Sequence, residues 1–296
     1  MKTVSGRLRQ VALVVSATLS SLVGCAADER ASESADSAPM DESIIHGTAS
    51  SAAQDAVIML RIGEEALCSG TLIAPNLVLT ARHCVSETSE GIACAPDGRA
   101  IQGGEVGKDR APSALTIYTG RKSQALTQAA QAVRILHDGA DNLCNHDLAL
   151  LLLDHPITDI TPAALRLTDN TEVGETVTAV GWGLTAKDVI PSARQQRRSV
   201  PILDVGPSAD TPPHDMVVGE SICSGDSGGP ALSRAGAVIG VVSYGGNRDP
   251  DPTRPAGSCL GSSARNTYTR IAPFATLIKS AFKTAGHTPV LEHVTK

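Results

Sequence analysis

Gly225-Asp226-Ser227-Gly228-Gly229-Pro230 is the stretch from which the rest of this 296-residue chain can be read. A serine between glycines can sit on a tight turn with its hydroxyl accessible. Glycine at 225 lets its amide point, beside that of Ser227, toward an oxygen that turns negative during acyl transfer. A lone Gly-Asp-Ser is an ordinary turn, but the full hexapeptide is much more specific. It predicts a nucleophile with its own oxyanion donors, and a serine hydroxyl in that role needs a base to take its proton.

Upstream, Thr80-Ala81-Arg82-His83-Cys84 offers that base, because the ordinary pKa of histidine lies near neutrality. A single histidine is more often structural, yet Cys68 and Cys84 bracket two strand-like apolar runs here. A bridge between them would pin the backbone beside His83 and, in the entropic account, contribute roughly 3 kcal/mol for a loop of about 15 residues. Asn145-His146-Asp147 precedes the continuous apolar run Leu148–Leu153, which places an acid at the mouth of a buried strand. A buried carboxylate is costly unless hydrogen-bonded, and donation from an imidazole would satisfy it and fix the tautomer. Asp138, Asp141 and Asp154 are rivals by position alone.

Composition narrows the class. Hydrophobic residues make up 42% and aromatics only 2%, so Val, Leu, Ile and Ala must build the core. The net charge of −6 and the absence of a basic stripe argue against a nucleic-acid surface, and Arg197-Arg198 reads as a solvated turn. Short apolar segments separated by Gly, Pro, Asn and Asp predict an all-β sandwich or barrel. Strands are expected at Ala56–Ile62, Gly70–Ile73, Leu77–Thr80, Leu115–Thr119, Ala132–Leu136, Leu148–Leu153, Thr176–Gly181, Ser199–Leu203, Ala231–Leu232, Val238–Ser243 and Thr267–Arg270. Ile271, Phe274, Leu277, Ile278, Ala281 and Phe282 recur at helical spacing. They predict a helix over 272–285, packed on the last barrel and ended by Gly286. The eight histidines show no zinc spacing with cysteines, so neither metal nor cofactor is expected.

The N-terminus carries Lys2, Arg7 and Arg9 ahead of an apolar stretch, Val11–Val23, that reads as a signal h-region over residues 1–25. Leu22-Val23-Gly24-Cys25 resembles a bacterial lipobox, with Cys25 as the lipidated residue; an ordinary signal peptide is the alternative. Both export the chain, to the envelope as a lipoprotein or as a secreted enzyme, where disulfides persist. Any membrane contact is then through a lipid on Cys25. Residues 26–43 are small, polar and acidic, a flexible tether or propeptide. A patterned region opens at Ile44-Ile45 and runs to 296. Setting Cys25 aside leaves Cys68, Cys84, Cys94, Cys144, Cys223 and Cys259, which allow up to three bridges in about 15 pairings.

Taken in order, Thr80–Cys84, Asp147–Leu151 and Gly225–Pro230 resemble the His, Asp and Ser segments of trypsin/chymotrypsin-like serine proteases. Ile44-Ile45-His46-Gly47, Gly181-Trp182-Gly183, Ser243-Tyr244-Gly245 and Thr267-Tyr268-Thr269 extend the resemblance from Ile44 to about Gly286. It implies two antiparallel six-stranded β-barrels, one to about 165 and one to about 270, followed by a C-terminal α-helix. It also implies a serine endopeptidase acting on polypeptides, with Ser227 attacking, His83 as base, Asp147 orienting it, and the Gly225 and Ser227 amides as oxyanion hole. Bridges Cys68–Cys84 and Cys223–Cys259 follow from the resemblance, which leaves Cys94 with Cys144. An activating protease would cut before Ile44, whose new ammonium would pair with Asp226. Ser43 at the cut does not imply a tryptic activator. The resemblance places Ser221, Ile222, Ser243, Tyr244, Gly245 and Asn266 around the substrate. Ser221 stands where trypsin-like relatives carry an Asp, so preference for basic side chains is not expected. An inactive homologue serving as a binding module is the competing function.

Overall fold

The computed structural model describes residues 44–64, 66–89 and 91–292; the leader, Cys25 and the tether lie outside them. Twelve strands form the body. β1 (Val57–Ile62), β2 (Ala66–Ala74), β3 (Leu77–Thr80), β4 (Leu115–Thr119), β5 (Thr127–Leu136) and β6 (Ala149–Leu153) close a barrel in the order β5-β6-β3-β2-β1-β4. β7 (Thr176–Gly181), β8 (Gln195–Val205), β9 (Asp215–Val218), β10 (Pro230–Leu232), β11 (Val238–Asn247) and β12 (Ala264–Arg270) run β8-β7-β10-β11-β12-β9, and β9 pairs back onto β8. All these pairings are antiparallel, so the expected two six-stranded barrels are present. A short strand, Thr48–Ala49, lies along the edge of β8, opposite Gln195 and Gln196.

Strand bounds differ from expectation where polar residues interrupt the apolar signal. β5 begins five residues before Ala132, at Thr127, because its register shifts between Gln128 and Ala130 and leaves Thr127 and Gln128 on the exposed side. Arg197 and Arg198 sit within β8 and not in a turn. β9 gives no sequence signal beyond four residues, though Asp215, Met216 and Val218 are buried. A hairpin, Ile92–Cys94 with Ala100–Gly103, and the pair Ser86–Thr88 with Val106–Asp109 make a further excursion from the first barrel.

Between β3 and this excursion lies a one-turn helix, α1 (Arg82–Val85). The C-terminal helix α2 spans Ala275–Ala285; Ala272–Phe274, expected as its first turn, is 3-10. Gly286 ends α2 with φ +79°, a left-handed cap whose amide reaches the carbonyls of Phe282 and Lys283. The helix corrects the expectation of where it docks. It packs on β3 and β6 of the first barrel, and its Ile278, Ala281 and Phe282 join the core that contains Leu72, Leu77 and Leu150. Asn76 of the first barrel also donates to the carbonyl of Ala285, at 3.3 Å. This explains why β6 reads as an unbroken leucine run: one face lines the barrel and the other lies under a helix. The second barrel has its own core, with Val177, Ile202, Met216, Ile239 and Tyr268, and Ile44 at the start of the described chain lies in it.

Phe282 is 1% exposed. Phe282→Ala is expected to cost about 3–5 kcal/mol of stability by urea unfolding. A change within about 0.5 kcal/mol, as at surface positions, would contradict the docking.

Candidate functional site

Asp147 follows a loop and opens onto β6, with its side chain 1% exposed. Three donors meet its carboxylate. The His83 amide gives to Oδ1 at 2.9 Å, the His83 ring lies with Nδ1 2.7 Å from Oδ2, and Ser243 Oγ gives to Oδ2 at 2.5 Å. His83 is on α1 and Ser243 on β11, so donors come from both barrels. Burial alone would raise the carboxyl pKa. The charge on His83 and these hydrogen bonds outweigh it and hold Asp147 below the usual range. Burial likewise opposes a charged His83, and the charge and hydrogen bond of Asp147 overcome it to raise the imidazole pKa. Asp138, one of the rival acids, pairs with His146, at 2.6 Å, and Asp154 with His155, at 2.9 Å.

The Gly225–Gly229 turn belongs to the second barrel and is fastened to the first. The Ser69 amide on β2 gives to Ser227 O at 2.7 Å, and Ser69 Oγ gives to Gly225 O at 3.0 Å. Ser69 Oγ also receives the Trp182 amide at 3.2 Å, while Thr80 Oγ1 holds Ser69 O at 2.9 Å. At Gly228 a Cβ would fall 2.2 Å from Thr80 Oγ1, so only glycine permits this approach. Gly225 has φ +98°, and among the described residues its amide and that of Ser227 donate to no protein acceptor. Among the described residues none joins the His83 ring to Ser227 Oγ. The two groups open instead onto adjoining recesses that share Ser243 and Tyr244 as a wall.

Ser227 opens onto a recess of about 170 Å³, lined also by Ile222, Ser243, Tyr244, Gly245 and Asn266. Ser221, expected around the substrate, is fully buried, and its hydroxyl gives to the carbonyl of Gly219 at 3.1 Å. Asn266 Nδ2 gives to that same carbonyl at 2.9 Å. A Cβ on Gly245 would meet Asn266 Oδ1 at 2.5 Å, so Asn266 reaches across the space that Gly245 leaves. His83 and Asp147 open onto a cavity of about 270 Å³ bounded by Ile92, Leu143 and Tyr244.

Asp226 is fully buried and accepts the amides of Gly183, at 2.8 Å, and Cys223, at 2.9 Å. Burial pushes its carboxyl up to about 7 against those two bonds. Ile44 and Ile45 are 0% exposed. Disulfides join Cys68 to Cys84, Cys94 to Cys144 and Cys223 to Cys259. The second of these links the excursion, whose Gly91 and Ile92 border the 270 Å³ cavity, to the loop leading to Asp147.

Sequence reasoning missed Ser69, a hydroxyl in an apolar strand, and Asp215, a third buried carboxylate beside Asp147 and Asp226. Burial and the charge of Asp147 push Asp215 up to about 7, and Tyr244 OH reaches it at 3.4 Å. A serine flanked by cysteine and glycine in a strand was the one available hint of the first.

The trypsin family model matches residues 44–264, and the chain belongs to that family of serine proteases. Phenoloxidase-activating factor 3 of Holotrichia diomphalia is 29% identical over 205 residues, 60% of this chain and 56% of that protein. The chain thus spans little more than half of that relative. Granzyme M of Rattus norvegicus is 25% identical over 240 residues, covering 75% of this chain and 82% of the relative. The mouse brain serine protease neuropsin shares the fold, with a TM-score of 0.59 at 20% identity, over 80% of this chain and 99% of neuropsin.

The His83–Asp147 pair should stabilise the fold over a defined pH window. His83 has a folded pKa above 6.5, so its share is complete below that value and is lost as pH rises through the raised pKa. The share of Asp147 is present above 3.8 and is lost as pH falls through its lowered value. Unfolding free energies of wild type and Asp147→Asn should therefore differ most between about pH 4 and 6.5, and the difference should narrow at higher pH as the His83 share is lost. A difference that grows toward pH 9 would contradict this.

Proposed function

We propose that this chain is a serine endopeptidase that works through an acyl-enzyme. The single observation that carries this is the buried Asp147 carboxylate bound to His83 Nδ1 beside a turn whose Gly225 and Ser227 amides are unengaged. Ser227 Oγ attacks the scissile carbonyl, and His83 Nε2 takes its proton. Asp147 fixes the tautomer through Nδ1 and favours the imidazolium that forms. The Gly225 and Ser227 amides receive the oxyanion, and removing one such donor typically costs about 10²–10³ in rate. His83 then protonates the leaving amine, and water completes the cycle with His83 again as base. None of these steps calls for a cofactor.

Cleavage before Ile44 is the proposed activation step. Ile44 itself is already buried in the core of the second barrel, and its new α-ammonium would meet Asp226, drawing the carboxyl pKa back below 7. Three disulfides fit an oxidising compartment. Residues 1–25 act as the export signal, with Cys25 as lipid anchor, and the same cut frees the enzyme from it. Substrates are polypeptides with a small or apolar residue before the scissile bond, since the recess beside Ser227 is narrow and its lining contains no carboxylate.

Two measurements test this. A chain processed before Ile44 should label with a fluorophosphonate at Ser227 and cleave peptides after Ala or Val in preference to Lys or Arg. Ser227→Ala should lose labelling and drop kcat by about 10⁵–10⁶. Lack of labelling in the processed wild type would favour the binding-module alternative, and cleavage confined to Lys/Arg would refute the specificity. Separately, the uncut chain should lose stability as pH rises from about 4 to 7, because folded Asp226 holds its proton more tightly than the unfolded chain does. Cleavage should flatten that slope, and an unchanged slope would count against ammonium insertion.

A further inference from the structure

Glu220 lies just before the buried Ser221, and three separate segments converge on its mostly buried side chain. Oε1 is 2.9 Å from His46 Nε2 and 3.6 Å from Arg197 NH1, and Oε2 accepts the amide of Gly261. Its backbone carbonyl takes a further bond from Arg197 NH1 at 2.6 Å, and the same nitrogen gives to Ile45 O at 3.0 Å. His46 and Ile45 belong to the segment that follows the proposed cut. Gly261 follows Cys259, which lines the recess beside Ser227 and is bridged to Cys223. On either side of Glu220, Gly219 O holds Ser221 and Asn266, and Ile222 lines the recess.

We propose that Glu220 is a positioning residue that couples docking of the segment after Ile44 to the shape of the substrate recess. The chemistry favours a carboxylate at this place. The groups facing it present N–H donors from three parts of the chain, and only an acceptor-only group with two oxygens satisfies them all. Glutamine must turn an NH₂ toward one of the donors, and alanine gives up the side-chain contacts to His46 and Gly261 while Arg197 keeps its bonds to the carbonyls of residue 220 and Ile45. Gly261 and His46 then lose the carboxylate they share, and Arg197 alone ties the 44–47 segment to residue 220, which loosens the Ile222–Asn266 floor. Ground-state binding of the side chain in the recess should then suffer more than the chemical step at Ser227. This coupling rests on the protease reading above.

The test uses the full chain processed before Ile44 and a peptide amide with Val before the scissile bond. Glu220→Ala should raise KM about tenfold with kcat within about threefold of wild type, and Glu220→Gln should raise KM about threefold. Acetic anhydride should also acylate the Ile44 α-amine several-fold faster in Glu220→Ala while near-UV circular dichroism shows the protein folded, which separates loosening of the 44–47 segment from global unfolding. Equal KM and equal acylation in folded Glu220→Ala overturn the proposal. Where that variant does not fold, an unchanged KM in Glu220→Gln overturns it instead. Fluorophosphonate labelling of the wild type separates the two readings. Its absence sinks the protease assignment itself, whereas labelling in both proteins with unaltered KM sinks only the role of Glu220.

Discussion

A negative charge with almost no access to water holds the centre of this molecule together. Asp147 stays ionised inside because His83 supplies two N–H groups from the first barrel and Ser243 supplies a hydroxyl from the second. Removing one partner from a buried pair of this kind typically costs about 3–5 kcal/mol. The barrels therefore cannot slide apart at this point without stranding a charge. Ser69 adds a neutral fastening nearby, binding both Gly225 O and Ser227 O from the opposite barrel. The proposed nucleophile and its proposed base thus sit on separate barrels, registered to one another by these few contacts across the seam.

The substrate recess follows a different logic. At its base a single backbone carbonyl, Gly219 O, gathers Ser221 and Asn266. Ser221 is fully buried with its hydroxyl in that bond. Asn266 and Ile222 bound what remains.

Much of this was legible in the chain because the chemistry is concentrated in short segments. Gly225–Pro230 and Thr80–Cys84 each hold the reactive group together with the small or bridging residues that present it. The leucine run after Asp147 marked a strand buried on both faces. The parts that escaped are those settled by distant partners. Arg197 looked like a solvated turn residue because its acceptors, Ile45 O and Glu220 O, are remote in sequence. The face of α2 could be read from its period, but nothing in that period says which barrel it covers. Strand β9 is too short for alternation to show, and Ser221 was placed by resemblance without knowledge that Gly219 O would claim its hydroxyl.

The docking of α2 has a bearing on how the chain is made. The first barrel has all six strands once Leu153 has left the ribosome, yet the outer face of β3 and β6 stays uncovered until residues 275–285 follow. Ile44, toward the other end, waits for a barrel whose strands run from Thr176 to Arg270. Beginning and end are thus exchanged between the halves, like a belt buckled across both. Neither half is finished before synthesis is, and the chain remains pliable until the last turn of α2 has been made.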